Sequence, residues 1–236
     1  SGGVTLAVNN DDTIVTGGSG ADTITASATD ALATTDKLAV DAGAGTDTLV
    51  LGDGSDVNTA ADAARYTNFE TLSVAASQDV SLIGGITAVT AGGDSIVLTN
   101  MNATNAAAIT VNDDAGNNAV AAFGAGLATA TGTADVISIT TKSATATQDV
   151  DLTNLDVDNF ETMNFTASTG TNTSGNTALD FAANKADEIT ALNISGSADV
   201  TLTVDANVMD VVAVTIDASG LTGTGDFTLT DNSGTL

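Results

Sequence analysis

Ala42-Gly43-Ala44-Gly45-Thr46-Asp47-Thr48-Leu49-Val50 runs directly into Leu51-Gly52-Asp53-Gly54-Ser55-Asp56-Val57-Asn58-Thr59, two nine-residue units laid end to end. A closer version of the same unit stands upstream, Gly17-Gly18-Ser19-Gly20-Ala21-Asp22-Thr23-Ile24-Thr25. The shared pattern is G-G-x-G-x-D-x-U-x, with U aliphatic, a repeat that builds parallel β-rolls around Ca²⁺. Its chemistry follows from the residue types. Glycine permits the backbone dihedrals of a tight turn and brings carbonyl oxygens together. Aspartate adds a hard anionic oxygen, and Ca²⁺ takes six to eight oxygen ligands in flexible geometry. The aliphatic residue two places later points a short strand into a core. The ligand set expected from these units is Gly17, Gly18, Gly20 and Asp22, then Gly43, Gly45 and Asp47, then Gly52, Gly54 and Asp56. Asp41 and Asp53 stand beside them as further ligands, with Asp11, Asp12, Asp113 and Asp114 as secondary candidates. Plain Gly/Asp turns between strands are the competing reading of the same residues.

Composition narrows the chemistry. The 236 residues carry 30 acids against four bases, a net charge of −26, and contain no Pro, Cys, His or Trp. Without His and Cys there are no zinc sites of the usual kind, no Ser-His triads and no thiol nucleophiles. Without Cys there are no disulfides to hold the loops, which leaves bound metal as the expected staple. Among the acids, glutamate occurs only at Glu70, Glu161 and Glu188. Short aspartate suits turns and metal loops better than a merely solubilising surface does. Unscreened charge of this size opposes compaction, and a bound divalent cation relieves it while adding its binding energy to the fold. With Lys37, Arg65, Lys142 and Lys185 the only bases, a nucleic-acid partner is not expected. No apolar stretch reaches membrane-spanning length. Paired carboxylates for sugar hydrolysis are available anywhere in such a chain, but Tyr66 is the only Tyr and Trp is absent, so aromatic sugar platforms are lacking. The chain is therefore not expected to be an enzyme.

The Gly/Asp units resemble those of the RTX (repeats-in-toxin) proteins of Gram-negative bacteria, most of all their calcium-dependent surface-layer proteins and next their large adhesins. The nonapeptide likeness covers about residues 9–59, and beyond it only the recurring Asn68-Phe69-Glu70-Thr71-Leu72 and Asn159-Phe160-Glu161-Thr162-Met163 and a Thr/Ala/Asp-rich texture are shared. The resemblance implies Ca²⁺ as cofactor, an extracellular place on the bacterial cell surface, and self-assembly into a lattice or filament. A segment of an adhesin, binding a cell-surface or glycan ligand, is the alternative it implies. The expected partner is the chain itself, with cell-surface polysaccharide as a further candidate. Ser1-Gly2-Gly3 shows no basic or apolar leader, so the chain is expected to be part of a longer protein or to be exported without a cleaved signal.

Short strands with alternating Thr and aliphatic residues follow: Thr71–Val74, 79–83, 86–90, 95–99, 108–111, 136–140, 149–152, 162–165, 188–194, 200–204, 212–216 and 227–230. Asn58 or Thr59 caps an expected helix through Ala60–Ala64, and 182–188 reads as one further helical turn. The fold class read from this is all-β, a right-handed parallel β-solenoid or β-roll with calcium-binding turns, because small side chains suit thin stacked coils. β-Sandwich modules are the alternative. Residues 1–59 form the expected calcium-binding portion, 60–130 a first β-rich half and 131–236 a second, duplicating roughly 40–130. The duplication rests on Asn68–Leu72 against Asn159–Met163 at an offset of 91, and on 46–51 against 134–139 at 88. Phe69 and Phe160 are expected to plug coil ends at a bend.

Overall fold

The computed structural model describes residues 2–8, 14–26, 37–112, 119–120, 122–129, 134–142, 150–168, 176–181, 185–186, 188–204, 214–223 and 225–232. Alternation of Thr and aliphatic residues produces strands whose inner positions are buried and whose outer ones are not, as at Thr48–Leu51, Thr71–Val74 and Thr162–Ser168. Ten such strands make one long sheet, in the order Thr5–Ala7, Thr23–Thr25, Thr48–Leu51, Thr71–Val74, Ala88–Gly92, Ile109–Asn112, Val136–Lys142, Thr162–Ser168, Ala191–Gly196 and Thr215–Leu221. The other side of the coil is broken into three short sheets. The first holds Ile14–Thr16, Ala39–Asp41 and Tyr66–Thr67; the second Gln78–Asp79, Ser95–Met101 and Ala122–Leu127; the third Ala119–Val120, Asp151–Leu155, Asn176–Phe181, Asp199–Val204 and Phe227–Asp231. Every described strand pairing is parallel. Except for Ala119–Val120 and Ala122–Leu127, which both lie in short sheets, successive strands alternate between the long sheet and the short ones, so the architecture is a parallel β-solenoid. A sandwich needs antiparallel hairpins, and the described strands form none.

Register stacks like on like. One inward column runs Ile24, Leu49, Leu72, Val89, Ile109, Ile139, Phe165 and Ile194, each paired with the next. A second runs Leu51, Val74, Ala91, Val111, Thr141, Ala167 and Gly196. On the opposite wall Leu152, Leu179, Leu202 and Leu229 align. Removing such columns from water is the main driving force for the coil, at about 25 cal/mol per Å² of apolar surface. Alanine and glycine share the second column with larger residues, while the largest fully buried side chains are Phe69, Phe123, Phe160 and Phe165.

Some local expectations change. The helix spans Ala60–Ala63, with Thr59 as its cap: the hydroxyl accepts from the Asp62 N–H at 3.2 Å. A second short helix, Ala103–Ala106, is closed by a reciprocal box between Asn102 and Asn105. The segment expected as a strand over 79–83 instead makes a tight 3₁₀ turn, Val80–Leu82, because the Asp79 carboxylate turns back onto the Ser81 N–H at 3.0 Å. Of 182–188, only 185, 186 and 188 lie within the described residues.

Candidate metal centre

Each strand of the long sheet is entered from a corner, and acids occupy that corner repeatedly. Asp22 precedes Thr23, Asp47 precedes Thr48, Glu70 precedes Thr71, and Glu161 precedes Thr162. Their carboxylates reach back one coil and accept from a backbone N–H there. Val4 N–H donates to Asp22 Oδ1 at 2.7 Å, and Asp22 N–H to Asp47 Oδ1 at 2.7 Å. Asp47 N–H donates to Glu70 Oε2 at 2.9 Å, and Asp135 N–H to Glu161 Oε2 at 2.7 Å. Glu188 receives a longer bond, 3.4 Å, from the Asn159 N–H. All three glutamates of the chain therefore do the same job, accepting from a backbone group of the preceding coil; such charge-assisted bonds are about twice as strong as neutral ones.

The recurring Asn-Phe-Glu-Thr run is the fullest form of this corner. Asn68 and Asn159 take φ of 60° and 71°, the left-handed conformation asparagine tolerates best after glycine. Phe69 and Phe160 are then fully buried in the core. Glu70 and Thr71 both donate their N–H to the Asp47 carbonyl, as Glu161 and Thr162 do to that of Asp135. The Asn68 side chain also donates to Asp41 Oδ1 at 2.7 Å, tying the corner to the strand below it.

The glycine-rich corners are built differently. Gly17 sits so close to the neighbouring coil that a Cβ there would lie 1.9 Å from the Ala42 carbonyl oxygen and 2.7 Å from Asp22 Oδ2. Gly43 has φ of +94°, and its Cα faces the Gly18 carbonyl. Gly45 packs against the Gly20 carbonyl in the same way. The two turns are laced together: Gly17 N–H donates to Asp41 O at 2.7 Å and Ala44 N–H to Gly18 O at 2.9 Å. Asp22 Oδ2 accepts from the Gly18 N–H at 3.0 Å, and Asp41 Oδ1 from the Gly43 N–H at 3.0 Å. Here glycine brings two carbonyl-rich turns into contact with two buried aspartates, Asp22 and Asp47.

Asp47 is the exceptional member. It is fully buried; one oxygen accepts from Asp22, and the other, Oδ2, is buried with no hydrogen-bond partner. Asp56, in the next turn, repeats the arrangement. Its Oδ2 accepts from the N–H groups of Gly52 at 2.8 Å and Asp53 at 3.3 Å, while Oδ1 is buried without a partner. Burial pushes the Asp56 carboxyl above its ordinary value despite those two bonds and with help from nearby Asp53. Burial likewise pushes the neighbouring Tyr66 hydroxyl up to about 12. Asp53 itself is exposed and bonded to the Ser55 hydroxyl and N–H, both at 2.6 Å, which hold its carboxyl below the ordinary value. Gly54 abuts the Ser77 carbonyl.

Among the described residues, no three acidic side chains converge in a way that alone would hold a metal. A cation in these turns would draw on one or two carboxylates and on backbone carbonyls, a donor set of hard oxygens that suits Ca²⁺. The orphaned oxygens of Asp47 and Asp56 fit such an ion, since a buried carboxylate oxygen without a donor is costly. Asp11, Asp12, Asp113 and Asp114 lie outside the described residues. Asp199, at the end of the turn Gly196-Ser197-Ala198-Asp199, is used structurally, its Oδ1 accepting from the Asp226 N–H at 2.8 Å.

Sequence reasoning did not find the cross-coil role of the glutamates, although the repeated Asn-Phe-Glu-Thr run was its visible trace. It also did not single out Lys185, whose Nζ lies 3.1 Å from Asp156 and 3.0 Å from Asp158 on the coil below. These bonds raise the lysine above its ordinary value, while burial raises Asp158. The fold thus defines a parallel β-solenoid with carboxylate-laced corners. The chain shows no significant similarity to any protein-family model, curated protein sequence or solved structure.

Proposed function

We propose that this chain is a calcium-stabilised structural module of the bacterial cell surface that self-assembles into a layer or filament. The observation that carries the calcium half of this reading is the pair of buried, unpartnered carboxylate oxygens, Asp47 Oδ2 and Asp56 Oδ1, in glycine turns rich in carbonyls. Separate cations, one held by Asp47 with carbonyls of the Gly17–Gly20 and Ala42–Gly45 turns and one by Asp56 in its own turn, supply charge neutralisation where the coils meet. With a net charge of −26, the chain gains from each bound Ca²⁺ both ligation and relief of repulsion. Millimolar calcium outside the cell then favours the folded coil, and low calcium inside leaves it loose for export. A parallel solenoid suits a structural role, since it offers long regular faces and stacks by small additive steps.

The experiment is direct. Chelated protein is dialysed into millimolar calcium and followed by light scattering and electron microscopy. Ordered sheets or filaments that dissolve on chelation support the reading; a monomer at every calcium level overturns it.

A further inference from the structure

We infer that the outward face of the ten-stranded sheet is the surface through which two copies of this chain meet. The inference rests on the self-assembly reading above and names the surface it uses.

The face is unlike the rest of the molecule in charge. Across its ten strands the only ionisable residues are Lys142 and Asp217. The strands of the three short sheets carry Asp41, Asp79, Asp151, Asp180, Asp199 and Asp231. Two molecules each bearing −26 repel wherever carboxylates face carboxylates. The long sheet is the wall on which two copies approach without that repulsion.

Its chemistry is a column of hydroxyls interrupted only at Val50. Thr25, Val50, Ser73, Thr90, Thr110, Thr140, Thr166 and Ser195 follow one another in register. Beside it Thr5, Thr23, Thr48 and Thr71 form a second column, which Ser138, Asn164, Asn193 and Asp217 continue further along the sheet. Many of these polar groups already satisfy one another along the columns. The Asn164 amide donates to Ser138 at 3.2 Å, the Asn193 amide to Asn164 at 2.9 Å, and the Thr166 and Ser195 hydroxyls lie 3.0 Å apart. Groups paired in this way lose little when water is excluded, and they leave methyl groups to make the contact. Ten strands at about 4.8 Å spacing, with strands on the order of 15 Å long, give roughly 700 Å² per copy. A standard stable interface buries about 800 Å² per partner and is depleted of charge at its centre.

The chain has no cysteine, so a single introduced thiol reports one position without background. Thr110→Cys and Thr140→Cys mark the middle of the long sheet, and Thr201→Cys marks the outer face of the third short sheet. Each variant is checked for wild-type circular dichroism, then treated with a short bis-maleimide in calcium. The inference predicts crosslinked dimer from the two long-sheet variants and little from Thr201→Cys. It also predicts that Thr140→Glu raises the concentration needed for assembly about tenfold, the effect of roughly 1.4 kcal/mol. If wild type assembles but Thr201→Cys crosslinks as well or better, this surface is wrong and the copies meet through the carboxylate-bearing faces instead. If wild type does not assemble at all, the self-assembly reading fails and this inference with it.

Discussion

Two kinds of corner turn this chain from one coil to the next, and they use carboxylates to different ends. At Asn68–Thr71 and Asn159–Thr162 an asparagine in left-handed conformation makes the bend, a buried phenylalanine fills it, and a glutamate accepts from the preceding coil. The glutamate is long enough to reach its N–H from the edge of the coil, and no buried oxygen of either Glu70 or Glu161 is left without a partner. At Gly17–Asp22, Gly43–Asp47 and Gly52–Asp56 glycine makes the bend, nothing large fills it, and a short aspartate is drawn inside. There Asp47 and Asp56 each keep one buried oxygen unsatisfied. The difference teaches that the glutamate corners, and Asp22 with both oxygens bonded, are closed by backbone N–H groups, whereas the glycine corners of Asp47 and Asp56 call for something further to close them.

The largest effects should come from breaking the filled corners. Phe69→Ala and Phe160→Ala each remove a fully buried ring, and each is expected to cost about 3–5 kcal/mol in denaturant unfolding. A benign Phe160→Ala would break the equivalence of the two corners. Next come the glycine corners themselves. Gly17→Ala drives a methyl into the Ala42 carbonyl and should destabilise by about 1–3 kcal/mol, while Gly18, with no atom within 4 Å of the built Cβ, should accept alanine almost without change.

The third test separates the two uses of carboxylate. Asp47→Asn should abolish most of the calcium-dependent gain in stability, about 2.7 kcal/mol at a hundredfold excess over the dissociation constant, and should matter little in chelator. Glu70→Gln should cost about 1 kcal/mol equally with and without calcium, because only a hydrogen bond is weakened. Equal behaviour of the two variants would erase the distinction. The smallest effect is in pH. The raised Asp56 carboxyl makes its charged form a burden on the fold, so in chelator stability should rise as pH falls through that raised value, and level off below the ordinary 3.8. Asp53 runs the other way: its lowered carboxyl contributes above 3.8, and the contribution is lost as pH falls through its depressed value. Melting curves of wild type and Asp56→Asn across this range should differ by the Asp56 gain alone.

Much of the coil was legible in the residues. Thr71–Val74 is a strand at its expected bounds, and Thr59 caps the expected helix, because each rests on a local rule. What was not legible depended on partners far along the chain. The spacing of the central column varies from 17 residues, between Leu72 and Val89, to 30, between Ile109 and Ile139, so no fixed period announces it. Ala122–Leu127 was not among the expected strands because its Ala and Gly residues break the Thr/aliphatic alternation that marks the others. Asn176–Phe181 is likewise a strand outside those expected from the sequence. At the metal centre, the glycines and aspartates were found by pattern. That Asp22 and Asp47 lace consecutive coils, and that among the described expected ligands Asp47 and Asp56 alone keep a buried oxygen free, depended on how distant turns stack.

The central claim is that calcium completes the glycine corners. Calorimetric titration of the chelated protein with calcium, run beside Asp47→Asn, tests it most directly. The account predicts saturable uptake at or below millimolar calcium in wild type, with fewer ions or much weaker binding in the variant. Heat no greater than dilution in wild type, or identical curves for the two proteins, would contradict it.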